Sequence, residues 1–176
     1  MQDLDDSLVA ARAAVEAMIQ TVSHTAMQWA APPAPGRWSP SQVVEHVALA
    51  LEASADEIAG RPSRFPNLPR PIRFLARTFF FDRVLRTGVF PKGKTNPAMN
   101  PASGPPTASA GVARLEAAWE RLSTTCTTVA AQNHQMTSTI FGRVGLVDYI
   151  RFQTQHTRHH HRQLSLAPNE FSHIAT

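Results

Sequence analysis

The sequence lacks most of the features that mark common catalytic and membrane classes. Cys126 is its only cysteine, which excludes an internal disulfide and a cysteine-based zinc cluster and suits a reducing compartment. No run approaches the roughly 18 consecutive apolar residues of a membrane span, and the acidic start MQDLDD does not resemble a signal peptide. A glycine-rich phosphate loop and a Gly-x-Ser-x-Gly elbow are missing as well. We therefore expect a cytoplasmic protein without a membrane partner.

An excess of one charge is also missing. Lys and Arg total 17 against 13 Asp and Glu, and the net charge of +4 is spread along the chain. Such a diffuse bias does not by itself indicate nucleic acid. Five arginines share one predicted helix, but its other face is apolar, as in any amphipathic helix. Nucleic-acid binding is therefore the weakest hypothesis for these residues: Arg70, Arg73, Arg77, Arg83 and Arg86.

Hydrophobic periodicity predicts a chain that is almost entirely helical. Apolar residues three and four apart predict long helices over residues 4–29, 107–131 and 146–166. The proline-rich segment APPAPGR ends the first of them, and a polar connection through FGRVG precedes the last. Little in the chain resembles a strand.

The predicted second helix, over residues 39–59, has a well-defined start and end. Ser39 can serve as the N-cap, with Pro40 at the first helical position. Gln42 completes a Ser-x-x-Gln capping box. Gly60 is the expected C-terminal stop.

The middle of the chain predicts a shorter helix and a loop. After the proline-rich connection RPSRFPNLPRP, residues 72–88 form an apolar and basic helical pattern, and residues 89–106 hold five of the fourteen prolines. The expected organisation is therefore one domain over residues 1–176, with four long helices, one short helix and a long proline-rich loop.

Four of the eight histidines fall within six positions of the last predicted helix. His156 and His160 lie one turn apart, so their imidazoles can converge on one ion. His159 lies close enough to compete, whereas His161 points well away. On the second helix, His46 shares its face with apolar residues, where an unpaired imidazole is costly. A shared metal would partner all three inward histidines, and a solvated helix face is the alternative.

Two motifs carry a resemblance to a known family. WSPSQVVEHVALALEAS resembles the second helix of the DinB-like (YfiT-like) superfamily, and FGRVGLVDYIRFQTQHTRHHHRQL is similar to its last segment, with His-x-x-x-His-x-x-Gln. The resemblance places His46, His156 and His160 on the family's metal-binding histidines and Gln163 on its glutamine. It implies an all-α, antiparallel four-helix bundle that holds a divalent ion, often nickel or zinc.

The sequence also departs from the family pattern. Thr139 and Ile140 replace a frequent His-Pro before the Phe-Gly turn, and the loop over residues 89–106 is long. Both differences bear on the shape of the cleft and on the substrate. The loop either covers the mouth of the cleft or is a mobile surface excursion.

The ligand set itself restricts the chemistry. Three neutral imidazoles suit zinc or nickel and leave coordination positions open. An open site can lower the pKa of a bound water or thiol. The resemblance implies a metal-dependent transferase that uses a low-molecular-weight thiol, or a hydrolase, acting on a small molecule. A non-catalytic metal-binding or stress-related protein is the alternative, and a homodimer is compatible with either.

The remaining candidates receive weaker interpretations. No general base is evident, because Glu45 points aside from His46 and Glu52 lies only loosely near its face. Cys126 is interpreted as a buried structural thiol. Gln163 either orients a ligand or is an ordinary polar residue near a helix end. Core positions are expected for the aromatic residues Trp38, Trp119 and Phe152 and the run Phe79, Phe80 and Phe81, and no role is expected for His24, His134 and His173.

Overall fold

The structure is a computed structural model that describes residues 2–24, 28–91, 96–130 and 135–165. Its elements are the long helices α1 (Gln2–Ser23), α2 (Pro40–Ile58), α5 (Ala108–Ala130) and α6 (Leu146–Ser165), the short helices α3 (Arg70–Ala76) and α4 (Asp82–Thr87), and the strands β1 (Gln135–Ser138) and β2 (Gly142–Gly145). The mostly helical fold is confirmed. The predicted helix ends at residues 131 and 166, and His134 and His173, lie outside the described residues.

The four long helices surround one hydrophobic core. Helix α1 packs against α5 and α6, and α2 packs against the same two helices. The core positions follow the spacing of three and four that the sequence shows, with fully buried side chains that include Val15, Met18, Val22, Val44, Val47, Leu115, Leu122 and Ile150. None of the described helices is both long and apolar enough to cross a membrane.

The start of α2 confirms the capping prediction and also fixes the proline-rich loop. The Ser39 side chain accepts from the Gln42 backbone, and the Gln42 side chain accepts from the Ser39 backbone. The carbonyl oxygen of Pro105 in turn accepts hydrogen bonds from Trp29 Nε1 at 2.6 Å and Ser41 Oγ at 2.8 Å. The described part of the loop is therefore anchored to the first turn of α2.

The structure differs from the sequence-based expectation in the connection before α6. Strands β1 and β2 form an antiparallel hairpin, with Ser138 paired to Gly142 at its end. Each strand has only four residues, so the alternation of buried and exposed positions is too short to produce a clear sequence signal. The first helix also ends earlier than predicted, at Ser23.

Helices α3 and α4 are joined by a π turn over Arg77–Phe81, so that the predicted short helix contains wider turns in its middle. Phe79, Phe80 and Phe81 lie in this turn, and the prediction that all three belong to the core was only partly right. Phe81 is buried, whereas Phe79 is 69% exposed. The helix ends as predicted at Gly88, in the left-handed conformation.

Helix α5 approaches residues 28–30 closely at Gly111, which makes a stability prediction. A Cβ at this position would lie 2.5 Å from the Trp29 ring. Gly111→Ala should therefore lower the free energy of unfolding by about 1–3 kcal/mol through overpacking, although Ala normally stabilises a helix by about 1 kcal/mol over Gly. Urea unfolding followed by circular dichroism would measure the change.

The exposed Ala117 on the same helix provides the control. Ala117→Gly should lower stability by about 1 kcal/mol through helix propensity alone. Stabilisation of the protein by Gly111→Ala would contradict the close contact with Trp29.

Candidate metal centre

Helices α2 and α6 bring three histidine side chains to one point. His156 Nε2 lies 3.2 Å from His46 Nε2 and 3.1 Å from His160 Nε2. One ring nitrogen from each of the three histidines lies within 4.8 Å of those of the other two. These are the three histidines singled out in the sequence, and their close approach depends on the contact between α2 and α6.

Hydrogen bonds define the tautomer of two of these rings. His46 Nδ1 lies 2.7 Å from the carbonyl oxygen of Met99, which can only accept, so Nδ1 carries the proton. His160 Nδ1 lies 2.9 Å from Gln163 Oε1 and donates in the same way. In both neutral rings the Nε2 lone pair therefore faces the centre of the cluster.

All three rings favour the neutral form that binds metal. Burial lowers the pKa of His46. Burial is also the main reason that the pKa of His160 falls to about 3, and charge repulsion from His46 is the second reason. Burial, followed by repulsion from His160 and His46, lowers the pKa of His156 well below its usual value. No proton therefore competes with a cation for these nitrogens near neutral pH.

The spacing of the nitrogens fits a metal ion. At a metal–nitrogen distance of about 2.0–2.1 Å, two imidazole nitrogens on one tetrahedral ion lie about 3.3 Å apart. The observed separations of 3.2 Å and 3.1 Å are close to that value. Without a cation, the Nε2 lone pairs of His46 and His160 face the same point. Only a single proton on His156 Nε2 could then reduce the repulsion between the three nitrogens. The three histidines can therefore hold a metal ion.

The two other histidines of the run have different surroundings. His159 Nε2 accepts a hydrogen bond from Gln163 Nε2 at 3.2 Å, and its ring packs near Phe90. His161 lies on another side of α6, where its Nε2 is 2.8 Å from Thr21 Oγ1 of α1. Gln163 thus bridges His159 and His160, which supports the interpretation that it orients a ligand.

The histidine cluster lies in the wall of a cavity of about 900 Å³. Its lining includes the aromatic side chains Trp38, Phe65, Phe80, Phe90, Phe141 and Phe152. The Trp38 ring packs on His46 with a centroid distance of 4.7 Å, so it belongs to the site as well as to the core. Asn96 and Met99 bring the proline-rich loop into the lining.

A buried carboxylate below the cavity was missed in the sequence. Glu57 accepts hydrogen bonds from the backbone and hydroxyl of Thr139 and, at 2.7 Å, from the Tyr149 hydroxyl. Burial and the charge of Glu57 raise the Tyr149 pKa well above its usual value. Glu57 follows His46 by eleven residues, which places both on one helix face, and this spacing could have identified it.

The two carboxylates considered beside His46 lie elsewhere. Glu45 and Glu52 both bind Arg114 of α5, at 3.0 Å and 2.6 Å. The hydrogen bond to Glu52 is the largest of the influences that raise the Arg114 pKa. Among the described residues, no carboxylate lines the cavity.

Comparison with known proteins identifies the family of the chain. A sequence model of the DinB superfamily matches residues 7–164. The chain therefore belongs to the DinB superfamily. Searches of curated proteins and of solved structures gave no significant match.

The buried thiol of α5 generates a prediction. Cys126 is fully buried, and burial raises its pKa to about 12. Because the thiolate is the reactive form, a chromogenic disulfide reagent at pH 8 should label the folded protein more than about 100-fold more slowly than the urea-unfolded protein. Rapid labelling of folded protein would show that Cys126 is accessible and would contradict its interpretation as a buried structural thiol.

Proposed function

We propose that this protein is an antiparallel four-helix bundle that binds zinc or nickel through His46, His156 and His160. We further propose that it catalyses transfer of a low-molecular-weight thiol to a small molecule in the adjoining cavity. The observation that carries the proposal is the convergence of three neutral imidazole nitrogens in the wall of a cavity of about 900 Å³.

The arrangement of the site suits thiol transfer. A bound divalent ion would lower the pKa of a coordinating thiol and favour the thiolate. With its proton released to solvent, the sulfur would attack an electrophilic carbon, forming an S–C bond as the leaving group departs with its bonding electron pair. Trp38 and the other aromatic side chains of the lining offer an apolar surface on which a small electrophile can bind next to the thiolate.

Hydrolysis is the second catalytic candidate, but the lining supports it less well. A hydrolase benefits from a group that accepts a proton from the attacking water. Among the described residues, the cavity has no carboxylate, and His159 is the one lining histidine outside the cluster. We therefore favour transfer over hydrolysis. A non-catalytic metal-binding or stress-related protein is the further alternative.

Metal content tests the ligand assignment. Replacement of His46, His156 or His160 by Ala should weaken zinc or nickel binding by more than about 100-fold, beyond the 10–100-fold cost of losing a supporting residue. Elemental analysis and chelator competition on protein purified without a histidine tag would measure the loss.

The matched control is another histidine of the same helix. His161→Ala should leave metal content unchanged, since this ring contacts Thr21 and faces away from the cluster. Equal losses from His161→Ala and His160→Ala would indicate a non-specific surface patch and would overturn the assignment.

Turnover separates the enzyme from the non-catalytic alternative. Zinc- or nickel-loaded protein should accelerate loss of free thiol in the presence of an apolar electrophile, and chelation should abolish the acceleration. A panel of low-molecular-weight thiols with a chromogenic electrophile would provide the assay. Full metal occupancy without acceleration by any thiol would favour the non-catalytic protein.

A further inference from the structure

One of the three clustered histidines lacks support for its outer nitrogen. His46 Nδ1 donates to the Met99 carbonyl, and His160 Nδ1 donates to Gln163 Oε1. His156 Nδ1 is buried and has no hydrogen-bond partner among the described residues. If His156 binds an ion through Nε2, Nδ1 must carry the proton, and a buried N–H without an acceptor is destabilising.

A complementary acceptor lies unpaired on the same helix. Gln153 is buried, lines the cavity, and has an Oε1 atom without a partner among the described residues. It precedes His156 by three residues, a spacing that makes two side chains neighbours on a helix. His160 and Gln163, which have the same spacing in the opposite order, form an imidazole–amide hydrogen bond of 2.9 Å on this helix.

The neighbours of Gln153 determine which end of its amide is free. The Tyr149 hydroxyl donates its proton to Glu57, so the phenol oxygen can accept. Burial is the main cause of the raised Tyr149 pKa, and the Gln153 side chain opposes that rise, which is the effect of an NH2 group directed at the phenol oxygen. The amide oxygen therefore remains as the unpaired end, and an oxygen is the group that an imidazole N–H requires.

We propose that Gln153 is a positioning residue for His156. Its amide oxygen accepts the Nδ1–H of His156, through a small side-chain rotation or one bridging water, and thereby presents Nε2 as a metal ligand. A continuous chain of hydrogen bonds then runs from Glu57 through Tyr149 and Gln153 to His156. The inference rests on the proposed role of His156 in metal binding.

Affinity for zinc alone, measured by chelator competition, tests the inference. Gln153→Leu should weaken zinc binding by about 10–100-fold, the usual cost of losing a hydrogen-bond partner of a ligand. Gln153→Glu retains an acceptor oxygen and should restore most of the affinity. Gln155→Leu, on the same helix beside Gly88 and outside the cavity lining, should bind zinc as the wild type does.

A second measurement reports the hydrogen bond itself and can overturn the inference on the wild type alone. In ¹⁵N NMR spectra of the zinc-loaded wild type, His156 should show a protonated Nδ1 whose hydrogen exchanges slowly with water. In Gln153→Leu the same hydrogen should exchange faster, while circular dichroism verifies the fold. Fast exchange of this hydrogen in the wild type would overturn the inference even if the variants failed to fold.

The outcomes separate this inference from the proposed function. Undiminished zinc affinity in His156→Ala would remove the proposed ligand and the inference with it. A large loss in His156→Ala, together with unchanged affinity in Gln153→Leu, would overturn only the role of Gln153. Equal losses in Gln153→Leu and Gln155→Leu would indicate a general effect on α6 and would also overturn that role.

Discussion

Convergence of three imidazoles, two of them buried and the third partly buried, is the constraint on which the rest of the site depends. A neutral ring with one nitrogen turned towards the cluster must place its other nitrogen against an acceptor, because a buried unpaired group is costly. The acceptor for His46 comes from a distant part of the chain, Met99 in the proline-rich loop, whereas the acceptor for His160 is Gln163, one turn further along α6. The loop must therefore lie against α2, and the end of α6 must stay helical, for the histidines to keep these acceptors.

The loop and the hairpin, which look peripheral in the sequence, stabilise the two helices that carry the histidines. The loop is fixed to the start of α2 through the Pro105 carbonyl, and this anchoring brings Met99 beside His46. The hairpin turn is fixed through Thr139, which donates to Glu57 near the end of α2. Both ends of α2 are thus held by irregular segments.

The sequence was sufficient to predict the helices, the capping box at Ser39 and the three histidines that the structure groups, because periodicity and spacing on a helix are local properties. It was not sufficient for the Met99 carbonyl, since backbone groups leave no mark on residue identity, or for the pairing of Glu45 and Glu52 with Arg114 across two helices. The hairpin was missed because its strands are too short for a periodic signal. Glu57 was detectable, because its spacing from His46 places it on the same helix face.

The backbone hydrogen bond to His46 has an evolutionary consequence. Every amino acid supplies a carbonyl, so substitutions at position 99 can accumulate without loss of this bond, provided that the new side chain still packs against Ala50 and Ala53. The bond to His160 has no such tolerance, because it requires the side chain of Gln163. Neutral substitution is therefore possible at residue 99 but not at residue 163, although both hydrogen bonds hold an imidazole Nδ1–H in the same way.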